Sequence, residues 1–200
     1  MIDTKTKILE TAEKLFAEDG FAATSIRQVV DKAGVNVAAV HYHFGGKQDL
    51  LDALVLRKAE PVNQERLARL ERLERESGGK SLPVEDILLA FFMPTADVAE
   101  ASPQFVRVMG RIHSEGLMPG IVQKHFHPTA KRFLAALRRA LPHLSEAEFG
   151  WRVHFMMGAM SHTMCGTPFF PVSQDDFHAR MRRLVQFLNA GFQAPPTEEE

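Results

Sequence analysis

The sequence predicts an all-α protein of about nine helices, and three observations support this class. Apolar residues recur at intervals of three and four along most of the chain, which is the period of an amphipathic helix. We find no stretch with the strict alternation of a half-buried strand. Glycines, prolines and capping residues divide the chain into segments of helical length. We expect a small head at residues 1–47, a larger helical body at 48–193 and a flexible tail at 194–200.

The composition indicates a globular chain with a real core. Of its 200 residues, 45% are hydrophobic, and the formal net charge is −1. This balance gives no bulk affinity for nucleic acid, so any DNA contact must come from a local surface. One cysteine excludes an internal disulfide and is typical of the reducing cytoplasm, where we expect the protein. We see no signal-peptide pattern and no apolar run of membrane-spanning length, and we expect no membrane partner.

The head is predicted to contain a helix at residues 4–19 followed by two short helices joined by a tight turn. Ile26, Val30 and Ala33 share one face of the first short helix. Gly34 ends it, because a sharp turn between helices needs the positive φ that glycine adopts. This arrangement is a helix-turn-helix.

The second short helix has the features of one that enters a DNA major groove. Asn36 is expected to cap it, and its Ala38 and Ala39 permit close approach to base edges. Arg27, on the helix before, is the candidate for a guanine or phosphate contact. The remaining polar residues would hold phosphates and fix the register on DNA. The predicted DNA contacts are Thr24, Ser25, Arg27, Asn36, Ala38, Ala39, His41, Tyr42, His43 and Lys47.

This stretch resembles the TetR family of one-component transcriptional regulators. The shared pattern is Thr24-Ser25, Arg27, Ala33-Gly34-Val35, His43-Phe44 and Lys47, preceded by Asp19-Gly20-Phe21. The resemblance covers roughly the first 55 residues and departs from the family at His41, where a tyrosine is usual. It implies a homodimeric repressor that binds a pseudo-palindromic operator and is released by a small molecule. The run AAVHYHFGGK is similar to a subgroup that includes fatty-acid-responsive regulators, which implies a fatty acid or an acyl thioester as effector.

The body is divided into further helices by prolines and glycines. One helix starts near Lys47, and Pro61 either kinks it or begins a new segment. A glycine-rich loop at 77–81 precedes a helix that we expect to stop near Pro94, and residues 95–100 either resume it or lie outside it. Later elements are predicted to be a helix opened by Ser102-Pro103, helices at 121–141, 145–165 and 174–192, and an apolar loop at 167–171.

Phenylalanine and methionine are concentrated in the body, where they can form an adaptable apolar pocket. For any single residue, ordinary core packing is the simpler interpretation. Arg152 lies beside these apolar faces and can pair either with a ligand carboxylate or with acidic neighbours. The predicted ligand-binding residues are Phe91, Phe92, Phe105, Met109, Ile112, Phe126, Arg152, Phe155 and Met156.

The last two helices are the predicted dimer interface. The helix at 145–165 is apolar on more than one side, which indicates that more than one side is covered. The helix at 174–192 carries a single apolar stripe, and the TetR resemblance implies that both helices pack against their mates in a partner. The predicted interface residues are Trp151, Met160, Met164, Phe177, Met181, Leu184, Val185 and Leu188.

Two other functions fit parts of the sequence. A helical lipid carrier would need only the apolar body. A metal enzyme would use the histidines, such as the His125 and His127 pair, but no HExxH motif or paired cysteines accompany them. No recognisable nucleophile motif is present either, so we predict no enzyme, no metal and no cofactor.

Overall fold

The computed structural model describes residues 3–165 and 176–196, and in that part all regular structure is helical. The helices are α1 (Thr4–Glu18), α2 (Ile26–Ala33), α3 (Val37–Phe44), α4 (Lys47–Glu76), α5 (Val84–Ala101), α6 (Pro103–Ser114), α7 (Met118–Ile121), a π-helical turn (Val122–Phe126), α8 (His127–Ala140), α9 (Glu146–Cys165) and α10 (Phe177–Gln193). Residues 118–140 are helical without a break, so the predicted all-α class with about nine helices is confirmed for the described ranges. The predicted loop at 167–171 and the end of the tail lie outside them.

The two short helices each begin at a side chain that caps the helix N-terminus. Ser25 caps α2 and forms a reciprocal capping box with Gln28, and Asn36 caps α3 through its side-chain oxygen. Gly34 takes the left-handed conformation at φ 62° and ψ 42°, which turns the chain from α2 into α3. These predicted caps and the predicted turn are confirmed.

Both long helices of the middle region pass through a proline. Pro61 lies inside α4 and Pro94 inside α5, so the prediction that a helix stops near Pro94 is wrong. Proline removes one backbone donor and crowds the preceding turn, which normally ends or kinks a helix. Here Phe92 and Ala96 are fully buried on either side of Pro94, and their packing keeps the segment helical.

The chain forms two compact units. The first contains Met1–Pro61 with Ser102–Phe126, and the second contains Val62–Ala101 with His127–Glu200. We predicted a boundary at residue 47. The first unit instead continues along α4 to Pro61 and includes α6, which packs against α1.

Each unit has its own apolar core. In the first, α1, α2 and α3 bury residues such as Phe16, Val30 and Val40. In the second, α10 lies along α5, and α8 and α9 complete the cluster around Phe92 and Met181. No helix within the described residues is both long and apolar enough to cross a membrane.

Candidate functional site

The helix α3 presents an exposed face on the first unit. Val40 and Phe44 are buried and hold α3 against the unit, whereas Val37 is exposed. Ala38, His41 and Tyr42 are also exposed, and their spacing of three and four residues puts them on one side of the helix. The Tyr42 side chain is 85% exposed, which leaves it fully available to a partner such as DNA.

Arg27 and Ser25 are exposed at the start of α2, the helix that packs against α3. Arg27 is exposed on α2, and the structure gives it no hydrogen bond or ion pair with a described residue. The Ser25 hydroxyl is occupied in the capping box, where it donates to Gln28 Oε1 at 2.8 Å and accepts from the Gln28 amide at 3.2 Å. To donate to a phosphate, the Ser25 hydroxyl would have to release Gln28 Oε1, whereas it could still accept from the Gln28 backbone N–H.

Thr24 does not face outward. It is buried, and its hydroxyl donates to the Gly20 carbonyl at 2.7 Å. The sequence interpretation grouped Thr24 with the phosphate contacts, and this burial corrects it: the side chain stabilises the turn between α1 and α2.

The C-terminal end of α3 is held by internal contacts. His41 Nδ1 lies 2.6 Å from the Gly45 carbonyl and donates to it. Lys47 Nζ donates to the Ala22 carbonyl at 3.2 Å and sits 4.3 Å from the centre of the Phe21 ring. Because an ammonium has three donors, Lys47 keeps two for an anion while the carbonyl and the ring fix its position.

A polar cluster in the first unit was not predicted. The buried Asp52 of α4 accepts from Lys124 Nζ at 2.6 Å and lies 3.1 Å from His125 Nε2, so it ties α4 to the π-helical turn. Burial raises the pKa of Asp52, but hydrogen bonds from Lys124 and His125 outweigh it and hold the pKa below its ordinary value. The sequence offered the i, i+1 pair Lys124-His125 but no signal for its partner.

The predicted ligand-binding residues are divided between the units. Phe105, Met109, Ile112 and Phe126 belong to the first unit, and Phe91, Phe92, Arg152, Phe155 and Met156 belong to the second. Within the second, Phe91 packs edge-on against Phe92 and Phe133, with ring centres 5.2 and 5.1 Å apart. Phe155 is exposed, so it does not join that group.

Arg152 is buried and fully engaged. Its guanidinium lies 2.6 Å from the Glu148 carboxylate and donates to backbone carbonyls at the end of α10, including those of Gly191 and Phe192. These contacts give Arg152 a structural role, and a contact with a ligand stays a prediction.

The predicted apolar stripe of α10 belongs to the core of the second unit. Met181, Leu184, Val185 and Leu188 are buried against α5 and neighbouring helices, which corrects their assignment to a dimer interface because a partner cannot reach them. Met160, Met164 and Phe177 are half-buried beside the same core.

A separate apolar face is exposed on α9 and α10. Trp151 is 59% exposed and stacks on Phe155, which is 62% exposed, with ring centres 5.7 Å apart. Phe187 on α10 is 72% exposed. A Cβ at Gly158, one turn beyond Phe155, would meet nothing within 4 Å, so the backbone there is open to close approach.

The second unit also has an open groove of about 570 Å³ that contains none of the predicted ligand-binding residues. It is lined by Arg69, Arg72, Leu73, Glu76, Asp86, Leu89, Ala90, Met93 and Arg182. Among residues 3–165 and 176–196, no group of three or more histidine, cysteine, aspartate or glutamate side chains is placed to hold a metal ion.

Comparisons with known proteins show the family. The model for "Bacterial regulatory proteins, tetR family" matches residues 8–54, and the model for "Tetracyclin repressor-like, C-terminal domain" matches residues 89–191. The HTH-type transcriptional repressor Rv3405c of Mycobacterium tuberculosis is 30% identical over 156 residues, which cover 73% of this chain and 70% of that protein. The chain belongs to the TetR family of bacterial transcriptional regulators. For two curated relatives from Bacillus subtilis, the aligned region covers only about a quarter of the length of the relative.

Solved structures share the fold at low sequence identity. PfmR from Thermus thermophilus matches with a TM-score of 0.64 and 22% identity, over 94% of this chain and 99% of that one. FadR from Bacillus subtilis, solved in complex with stearoyl-CoA, matches with a TM-score of 0.60 and 18% identity, over 92% of this chain and 97% of that one.

Proposed function

We propose that the protein is a cytoplasmic repressor that binds a pseudo-palindromic DNA operator as a homodimer and leaves it when an apolar small molecule binds the second unit. The observation that carries the proposal is the exposed face of α3, with Ala38 and Tyr42 at its centre and Arg27 beside it. Small and polar side chains on a short, capped second helix suit the major groove, and the neighbouring cations suit the phosphates.

The exposed face of Trp151, Phe155 and Phe187 supports the homodimer. Trp151 and Phe155 form a stacked apolar patch, and Phe187 on α10 is a further exposed aromatic; at 59–72% exposure, such side chains are typical of an interaction surface. A two-fold dimer would bury this patch against itself and would place two heads on successive half-sites of one operator.

An apolar effector is supported by the aromatic packing of the second unit. Phe91 packs edge-on against both Phe92 and Phe133 in the core cluster that also contains Met156, and side chains of this kind can separate around an apolar ligand. The similar fold of FadR, which was solved with stearoyl-CoA, is in keeping with an acyl compound. The ligand shifts the equilibrium only if it binds the DNA-free form more tightly.

Selection of bound duplexes from a random pool tests the proposal. Repeated selection should enrich a two-fold symmetric sequence, and fatty acids should release it. The variant Arg27→Ala should bind the enriched duplex less well, whereas Arg72→Ala, an exposed arginine of the second unit, should bind as the wild type does. If no sequence is enriched at physiological salt, the proposed function is wrong.

A further inference from the structure

The second unit buries two arginines in different ways. Arg152 has a carboxylate partner, Glu148, together with several carbonyls. Arg66, on α4, is only 2% exposed, and all its partners are neutral. Its Nε donates to the Phe91 carbonyl at 2.7 Å, its Nη2 to Thr95 Oγ1 at 2.7 Å, and its Nη1 to Asn63 Oδ1 at 3.3 Å.

These contacts satisfy part of the guanidinium but do not neutralise it. Three of its five N–H groups are used, and the group lies 4.0 Å from the centre of the Phe91 ring, where the π face offsets some of the charge. Among the described residues no carboxylate pairs with Arg66. Burial lowers the pKa of Arg66 to about 9, so the side chain still carries its charge at neutral pH.

A purely structural role explains only one of these contacts. Pro94 has no N–H to donate to the Ala90 carbonyl, and the α5 backbone near it gains a donor from Arg66 at Phe91. A neutral amide would supply that donor without the cost of burying a charge. Among the residues that the structure describes, no contact therefore explains the charge itself.

The surroundings suit the rest of an apolar ligand. Phe91 packs edge-on against Phe133, and both belong with Phe92 and Met156 to the core cluster of the second unit. A few polar groups converging on an apolar wall are typical of a small-molecule site.

We propose that Arg66 is the anchor for the carboxylate of the effector, which is therefore an apolar acid in its free form. This rests on the proposed function, because it names the class of effector and the residue that selects it. The carboxylate would take the two N–H groups that the protein leaves over, and the apolar part would lie among the aromatic rings. An ester, an alcohol or the thioester group of an acyl-CoA has no charge in the place of the carboxylate that would pair with Arg66.

Matched ligands test this directly. Dodecanoate and oleate are titrated into the full-length protein by calorimetry below their micellar concentrations, alongside dodecanol, oleyl alcohol and oleoyl-CoA. The wild type should bind at least one of the acids at least tenfold more tightly than its alcohol and more tightly than the thioester. Equal affinity for acids and alcohols, preference for the thioester, or no binding of either acid would overturn the proposal.

Variants separate the ligand role from a structural one. In Arg66→Met the preference for the acid should disappear, while the unliganded melting temperature stays level or rises because a buried charge is gone. Arg66→Gln keeps a donor for the Phe91 carbonyl and should lose the preference in the same way. Arg69→Met, three residues along α4, removes an arginine that is already paired with Glu65 and should bind like the wild type. Unchanged acid binding in Arg66→Gln would refute the anchor.

Operator binding is measured separately. If the protein binds no specific DNA but binds acids through Arg66, the proposed function fails and this inference stands. If operator binding is specific and acids bind equally well to the wild type and to the Arg66 variants, the proposed function stands and this inference fails.

Discussion

Glu115 and Phe21 are 94 positions apart in the chain, yet the carboxylate of Glu115 accepts the backbone N–H of Phe21 at 2.9 Å. Its second oxygen accepts the N–H of Ala22 at 2.8 Å. Arg111, one turn earlier on α6, donates to the Glu18 carbonyl at 3.0 Å. The end of α6 thus clamps the turn between α1 and α2, on which the position of α2 depends.

The turn and the carboxylate fit closely. Gly20 has φ 90°, and a Cβ there would lie 2.5 Å from Glu115 Oε1. The backbone conformation favours glycine at this position, and a Cβ would in addition displace the Glu115 carboxylate from the two amides that it accepts.

Removal of this carboxylate should loosen the DNA-reading head. Glu115→Ala leaves two backbone donors without their partner, which we expect to cost about 1–3 kcal/mol of stability. Operator affinity should fall as well, because the position of α2 is less well fixed. Chemical unfolding and operator titration measure the two effects. Glu115→Gln retains an acceptor and should lose less, and Glu10→Ala, exposed on α1, should lose neither. Full operator affinity in Glu115→Ala would show that the clamp does not position the head.

The exposed apolar face should control association. Phe155→Glu and Phe187→Glu place charges on surfaces that the protomer leaves open, so each should yield folded monomers with weak operator binding. Leu184→Glu should instead unfold the second unit, since Leu184 lies in its core. Light scattering and circular dichroism separate the two outcomes. A wild type that is monomeric at micromolar concentration would contradict this prediction.

Lys47 should contribute to DNA affinity without reading sequence. A lysine at a phosphate releases counterions, so Lys47→Gln should lower the slope of log affinity against log salt by about one unit per site. The loss should be alike for operator and random DNA. Titrations at several salt concentrations test this, and the melting temperature checks that loss of the Ala22 contact has not disturbed the head. A loss confined to the operator would mean that Lys47 reads bases.

Arg27 should behave differently if it contacts a guanine. Arg27→Ala should relax the preference at one position in each half-site, at a cost of about 1–3 kcal/mol on the operator. Measuring the affinity of the wild type and of Arg27→Ala for a panel of single-base operator variants tests this loss of base preference. Equal losses on every sequence would make Arg27 a phosphate contact.

His178 should make stability depend on pH. Its two ring nitrogens lie 2.8 Å from Glu100 and 2.8 Å from Asp97, and these hydrogen bonds, Glu100 first, raise its pKa above 6.5. Since folding favours the protonated form, the contribution is fully present below about 6.5 and is lost as pH rises through the folded pKa. The free energy of unfolding should therefore fall over this window in the wild type and in His127→Asn, but less in His178→Asn. Identical profiles for all three proteins would exclude the effect.

Local signals predicted the head well. A capping box, an asparagine cap and one glycine in the left-handed region are each set by neighbours within three residues, and Ser25, Asn36 and Gly34 all do what the sequence indicated. The same reasoning erred at Thr24, because its hydroxyl turns inward to the Gly20 carbonyl, four residues back.

In the body, the predictions that failed concern features that depend on contacts between residues far apart in the sequence. Pro94 lies inside α5 because buried residues on both sides of it hold the helix in place. The apolar stripe of α10 packs into the core of the second unit. The period of such a stripe cannot tell packing within the chain from packing against a partner. Arg66 and Glu115 act through partners 25 and 94 positions away, and nothing in their local sequence indicates burial or a distant clamp. A single sequence carries no signal for such pairs.

The chain has a single tryptophan and a single tyrosine, and each is exposed in a different unit. Trp151 lies on the apolar face of α9, so its emission should move to shorter wavelength when a partner excludes water from the indole. Tyr42 stands on the exposed face of α3, and contact with nucleic acid should quench its emission without altering that of Trp151. The unlabelled protein therefore carries two separate optical reporters, with which association and DNA contact can be timed independently in one stopped-flow experiment.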